Sequence, residues 1–170
     1  MRRGAALLVL ALAALTGCER AARDETPARM EAPPAPTFRH AFEGDVSGDY
    51  RPASPQREDR WRVVGLHIGQ EAAFQAWEAG SRDHPPLLLT LEGPEGRTAV
   101  TPTRYGATDQ ALNLEGRTAE GRTVRFSGRL DAGALATARR NLGDQTVVVA
   151  GRVDVDGTRI PVALGWWGGD

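Results

Sequence analysis

The chain has 170 residues, with 21 basic and 22 acidic side chains, a formal net charge of −1, 20 glycines, 11 prolines and a single cysteine. That length suits one domain with extensions. The near-neutral charge argues against a nucleic-acid binder, which usually shows a strongly basic domain. One thiol excludes an internal disulfide framework, a zinc knuckle and an iron–sulfur cluster, and no apolar run reaches the roughly 18 residues of a membrane-spanning helix.

Residues 1–17 read as a targeting segment. Arg2 and Arg3 form a basic start, and Ala5–Leu15 is an uninterrupted apolar stretch of 11 residues, long enough for the core of a secretory signal and too short to span a bilayer. It ends in Leu15-Thr16-Gly17-Cys18. The small residues Thr16 and Gly17 precede the single thiol, Cys18. The four residues resemble the lipobox of bacterial lipoproteins, in which the cysteine thiol receives diacylglycerol, the signal is cut between Gly17 and Cys18, and the new amino terminus is acylated with palmitate-type chains. The resemblance implies a chain that starts at Cys18 and carries 19 arginines against 22 acids, a charge of −3. Each buried acyl methylene contributes roughly 0.8 kcal/mol, so several chains hold a protein to a bilayer almost permanently. Under the sorting rule of enteric lipoproteins, where Asp after the cysteine retains the protein in the inner membrane, Glu19 implies the periplasmic face of the outer membrane. An ordinary signal peptide with an incidental or structural cysteine is the alternative.

Residues 18–37 are charged and then rich in proline and alanine (Glu31-Ala32-Pro33-Pro34-Ala35-Pro36), with neither helical nor alternating periodicity. Such a stretch favours extended backbone at roughly 3.1 Å per residue and reads as a tether, with a proline-rich recognition motif as the alternative.

Residues 38–170 read as one globular, β-rich domain. Phe38, His40, Phe42, Val46 and Tyr50 alternate around Gly44 and Gly48 as a strand or bent pair of strands, and 52–60 is a polar loop. Over 61–68 the alternation places Val64, Leu66 and Ile68 on one face and Trp61, Val63 and His67 on the other. Residues 70–79 switch to helical spacing, with Ala73, Phe74 and Trp77 on one face and Gly80 as the stop. Strands follow at 87–91, 97–104, 110–118 and 122–130, the first two joined by a turn at 93–96. Asp131 caps a helix over 132–142 whose inward face is Ala134, Leu135, Ala138 and Leu142, ending at Gly143. The final hairpin runs 147–155 and 159–166 about Asp156-Gly157. The order strand, helix, strand, turn, strand occurs from Trp61 to Thr103 and again from Val124 to Leu164, as a pseudo-duplicated sheet would show. The segment Phe126–Leu130, the helix and Val147–Val162 resemble the second half of an oligonucleotide/oligosaccharide-binding (OB) barrel of the small periplasmic kind, which implies a fold and no binding residues. The expected class is therefore α+β, mainly antiparallel, with two short helices, as an OB-like barrel or a pseudo-duplicated sheet.

No catalytic constellation is legible. His40, His67 and His84 lie on separate segments without metal-ligand spacing, and Asp154-Val155-Asp156-Gly157 places its glycine at the fourth position rather than the sixth of a calcium loop. Ser47, Ser54, Ser81 and Ser127 lack nucleophile motifs, and Asp131 and Asp144 read as cap and surface residues. No metal or other cofactor is expected. Two features read as binding surface: outward Arg117, Arg125, Arg129, Arg152 and Arg159, whose guanidinium groups suit phosphate or carboxylate, and Trp167, which alternation turns away from the core. Ordinary ion pairs and edge packing are the competing explanations. The expectation is a lipid-anchored, non-enzymatic binding or assembly module of the cell envelope, its partners the membrane and an envelope protein or polymer, and not nucleic acid. An anionic-ligand or glycan binder using the Arg/Trp face, and a hydrolase with a site assembled from distant residues, are the alternatives.

Overall fold

The computed structural model describes residues 37–56 and 61–169; the signal, Cys18 and nearly all of the tether lie outside the described residues. Nine strands and two helices follow in chain order: β1 (Phe38–Ala41), β2 (Gly48–Pro52), β3 (Arg62–Ile68), α1 (Glu71–Glu78), β4 (Leu87–Gly93), β5 (Gly96–Thr108), β6 (Ala111–Arg117), β7 (Thr123–Leu130), α2 (Ala132–Arg140), β8 (Val147–Val155) and β9 (Thr158–Trp167). Strands β2 to β9 form an antiparallel meander. Each pairs with its neighbours in sequence, and β9 returns to β2, so eight strands close into a barrel. β1 pairs in parallel with the second half of β5, continuing the edge on which β4 pairs with the first half. This is the expected mainly antiparallel class with two short helices, and the closed barrel is consistent with the OB-like alternative. The order read from Trp61 and from Val124 recurs as β3–α1–β4–β5 and β7–α2–β8–β9.

Because strands alternate in direction around the ring, both helices and the short β5–β6 turn lie at one end of the barrel, and the β4–β5, β6–β7 and β8–β9 turns lie at the other. α1 forms where Phe74 and Trp77 bury one face, and Phe74 meets Phe42 and Tyr105 edge-on at ring-centroid distances of 5.1 and 5.4 Å. α2 is capped as expected, the Asp131 carboxylate accepting from the Ala134 amide at 2.9 Å, and buries Leu135 and Ala138. It stops at Arg140, two residues short of the predicted end, so Leu142 leaves the inward face and is 77% exposed. One further expectation is corrected at β3. A bulge between Val63 and Gly65 shifts the alternation, so Val63, not Val64, joins Leu66 and Ile68 in the core. At the turn end, Arg122 bridges two neighbouring turns through Glu95 (2.8 Å) and Asp156 (3.4 Å).

The interior is filled by its own side chains, one of the two arrangements that the bore of an eight-stranded barrel permits: Tyr50, Leu66, Leu89, Leu114, Phe126 and Leu164 are all essentially inaccessible. One inward pair carries no side chain. Gly128 and Gly151 face each other across β7 and β8, and the Phe126 ring occupies the space, lying 2.6 Å from where a Gly128 methyl would be built. A methyl at Gly151 would fall 2.3 Å from the Ser127 carbonyl oxygen. Gly151→Ala is therefore expected to lower stability in urea unfolding by about 1–3 kcal/mol through overpacking. Ala150→Ser, on the outer face next door, should stay within about 0.5 kcal/mol. Equal effects would show that the glycine pair is not a packing requirement.

Candidate functional site

With the bore filled, the surfaces that can meet a ligand are outside, and three constellations stand there. The first is the arginine set. Cross-strand register makes an outward row of alternating charge, Arg104, Glu115, Arg125, Asp154 and Arg159, one residue from each of β5 to β9. Arg104 approaches Glu115 at 3.7 Å and Arg159 approaches Asp154 at 4.0 Å. Arg152 pairs with Ser127 and Arg129 with Ala150, so Arg152 is the diagonal neighbour of both Arg125 and Arg129. Arg117 stands apart at the turn end and donates to the Gly121 carbonyl at 3.1 Å. The five expected residues thus separate into a central trio, Arg125, Arg129 and Arg152, and two flanking members engaged locally.

Trp167 does not join them. It lies at the end of β9 away from Arg159, opposite Asp49 on β2. Alternation does turn it outward, as expected, but the Arg51 guanidinium lies 3.3 Å from the ring centroid and covers one face. Asp49 accepts from His67 Nδ1 at 2.8 Å, so His67, Asp49, Arg51 and Trp167 form one polar–aromatic cluster on the β3–β2–β9 wall. Nothing in the local sequence signals this grouping, because it depends on the seam between β2 and β9. An open groove of about 700 Å³ runs along this wall past Arg51, Arg62, Leu142, Trp166 and Trp167. A second, of about 590 Å³, lies between Trp61 and Thr158–Ala163, and the two share Ser54, Pro55 and Gln56.

The third constellation joins β1, α1 and β5. Glu78 Oε1 accepts from His40 Nδ1 at 2.9 Å and from the Tyr105 hydroxyl at 3.2 Å, inside a shell of Phe38, Phe42, Phe74 and Trp77. Arg82 stacks over Trp77 at 4.7 Å and Phe38 at 5.1 Å. The third histidine, His84, is exposed in the α1–β4 connection. Among the described residues no group of three or more His, Cys, Asp or Glu converges as metal ligands do, and no helix is long and apolar enough to cross a membrane. Asp154 and Asp156 belong to the final hairpin: Asp154 accepts from the Gly157 amide at 2.8 Å, and positive φ at Asp156 and Gly157 fits the turn that Asp-Gly favours. Asp144 accepts from the Thr146 hydroxyl and amide, which hold its carboxyl below the ordinary range. Compared with protein-family models, with curated proteins and with solved structures, the chain matches none.

The electrostatics of the core give a direct test. The chain has two tyrosines, and both are buried. Burial pushes the Tyr50 phenol above its ordinary value; for Tyr105 burial leads and the Glu78 carboxylate adds to it. Both folded values exceed the unfolded value of about 10, so the stability these groups contribute is fully present below about pH 10 and is lost as the pH rises past it. Phenolate absorbance is expected to be absent near pH 10 in the folded chain and to appear together with alkaline unfolding. A phenol titrating near pH 10 with the fold intact would refute this.

Proposed function

We propose that this protein is a lipid-anchored binding or assembly module of the bacterial cell envelope. Cys18 carries the lipid, residues 18–37 set the reach, and the outer wall of the barrel makes the contact on the periplasmic face of the outer membrane. The lipobox Leu15–Cys18, the basic start and the apolar stretch support the address. The observation that carries the binding-module reading is the filled bore. Among the described residues, core side chains occupy the bore that in other eight-stranded barrels can hold one small ligand, so recognition falls to the outer surface, where two open grooves meet at Ser54–Gln56. A partner protein or envelope polymer suits such a surface better than an enclosed small molecule. A second reading, an anionic-ligand binder, is favoured by the arginine trio on β7 and β8.

Two measurements test this reading. The wild-type chain is expected to incorporate labelled palmitate and to fractionate with the outer membrane, and Cys18→Ala should lose both. A Cys18→Ala protein that still fractionates with membranes, or a wild type without label, would overturn the anchor. A photo-crosslinker at Leu142, beside the larger groove, should give one discrete adduct in cells, reduced at least tenfold by Cys18→Ala. Absence of any adduct would count against the groove as the contact.

A further inference from the structure

The arginine trio has a geometry that the anchor makes meaningful. Arg125, Arg129 and Arg152 are exposed, and no other described residue pairs with them, whereas Glu115 and Asp154 beside them approach Arg104 and Arg159. Diagonal neighbours in an antiparallel pair lie about 7–8 Å apart, so the three guanidinium groups form a short zigzag along the β7–β8 wall. Around Arg129 and Arg152 the outward neighbours are short or carry no charge, Ala111 on β6, Ser127 on β7, Ala150 on β8 and Pro161 and Ala163 on β9, while Arg125 lies between Glu115 and Asp154. The larger charge pattern agrees. Among the described residues, 37–56 and 61–96 carry four arginines against eight acids, and 97–169, which supply β5 to β9 apart from Gly96, carry ten arginines against seven.

We propose that Arg125, Arg129 and Arg152 dock the β7–β8 wall onto the phosphate groups of the lipid leaflet that carries the anchor. This rests on the lipid-anchor reading and adds an orientation to it. Guanidinium forms paired hydrogen bonds with phosphate oxygens and tolerates partial desolvation better than ammonium does. The trio lines neither of the two grooves described above and stands on the outer wall of the barrel, where a plane of headgroups meets all three at once. A lipid at Cys18, 20 residues before β1 begins at Phe38, keeps the wall at high effective concentration over its own leaflet. With β7 and β8 facing the lipid, β3 and β4 lie on the opposite side of the ring, which leaves the groove past Arg62 and Glu92 open to a partner.

The test uses the chain from residue 18 onward with Cys18→Ser, so that no acyl group contributes, in co-sedimentation with vesicles. The chain is expected to bind vesicles of phosphatidylcholine and phosphatidylglycerol in equal parts, to ignore pure phosphatidylcholine, and to be released as salt rises. Each basic residue near an anionic leaflet contributes about a factor of five in affinity, so Arg125→Gln with Arg129→Gln and Arg152→Gln should weaken binding about a hundredfold. Arg39→Gln with Arg51→Gln, on β1 and β2, should leave it within about twofold. Equal binding to both vesicle types, wild-type binding by the triple variant, or an equal loss in the double variant would overturn the proposal. So would saturable binding of inorganic phosphate that strips the chain from vesicles, which assigns the trio to a soluble anion. Loss of palmitate labelling with vesicle binding intact would remove the anchor and keep the docking wall; the reverse result would remove only the wall.

Discussion

An eight-stranded barrel has room either for its own side chains or for one small ligand, and this protein's architecture follows from filling that space with side chains. Each strand must offer inward residues of complementary size, so the bulk of Phe126 is matched by missing side chains at Gly128 and Gly151. Closure also removes sheet edges, leaving only the short β1 alongside β5 as an added strand. Everything that distinguishes this chain from another barrel is therefore written on its outside and at its two ends. The ends are fastened by arginine. Arg122 ties two turns together through carboxylates, and at the helix end Arg139 donates to the carbonyls of Asp45 and Ser47, holding the β1–β2 loop against α2. The Asp45 carboxyl beside it is held below the ordinary range, first by hydrogen bonds from Ser47 and then by Arg139.

Much of this was legible in sequence because its causes are local. Period-two alternation marks β7, β8 and β9, and Asp156-Gly157 marks their hairpin. Asp131 marks the start of α2, and helical spacing with Gly80 marks α1. The failures share a cause as well. The bulge at Val63–Gly65 adds a residue whose presence only the β4 partner reveals, and Leu142 fits the period of a helix that had already ended. Barrel closure, the length of β5 and the placing of β1 all depend on pairing between distant segments, which periodicity does not encode.

The candidate site divides along the same line. Outward orientation of the five arginines and Trp167 is a property of each strand alone, and it was readable. Which of them stand together is a property of register. Register gathers Arg125, Arg129 and Arg152, gives Arg159 to Asp154, and sends Trp167 to a different wall under Arg51, a residue with no sequence motif to single it out. The His40–Glu78–Tyr105 network escaped for the same reason, since its members come from a strand, a helix and a second strand brought together by the added β1.

The seam between β2 and β9 has a kinetic meaning. It joins the first strand of the ring to the last, Tyr50 opposite Trp166, so the ring stays open until nearly the whole domain has been delivered. Loop closure over that separation carries a large entropic cost that local hairpins do not share, and such long-range pairing slows folding. The meander can assemble hairpin by hairpin, but its two free edges remain exposed until they meet. A chain truncated before β9 would retain most of its residues and still present open edges to any other strand, which makes the last ten residues of the ring the step that ends its vulnerability to aggregation.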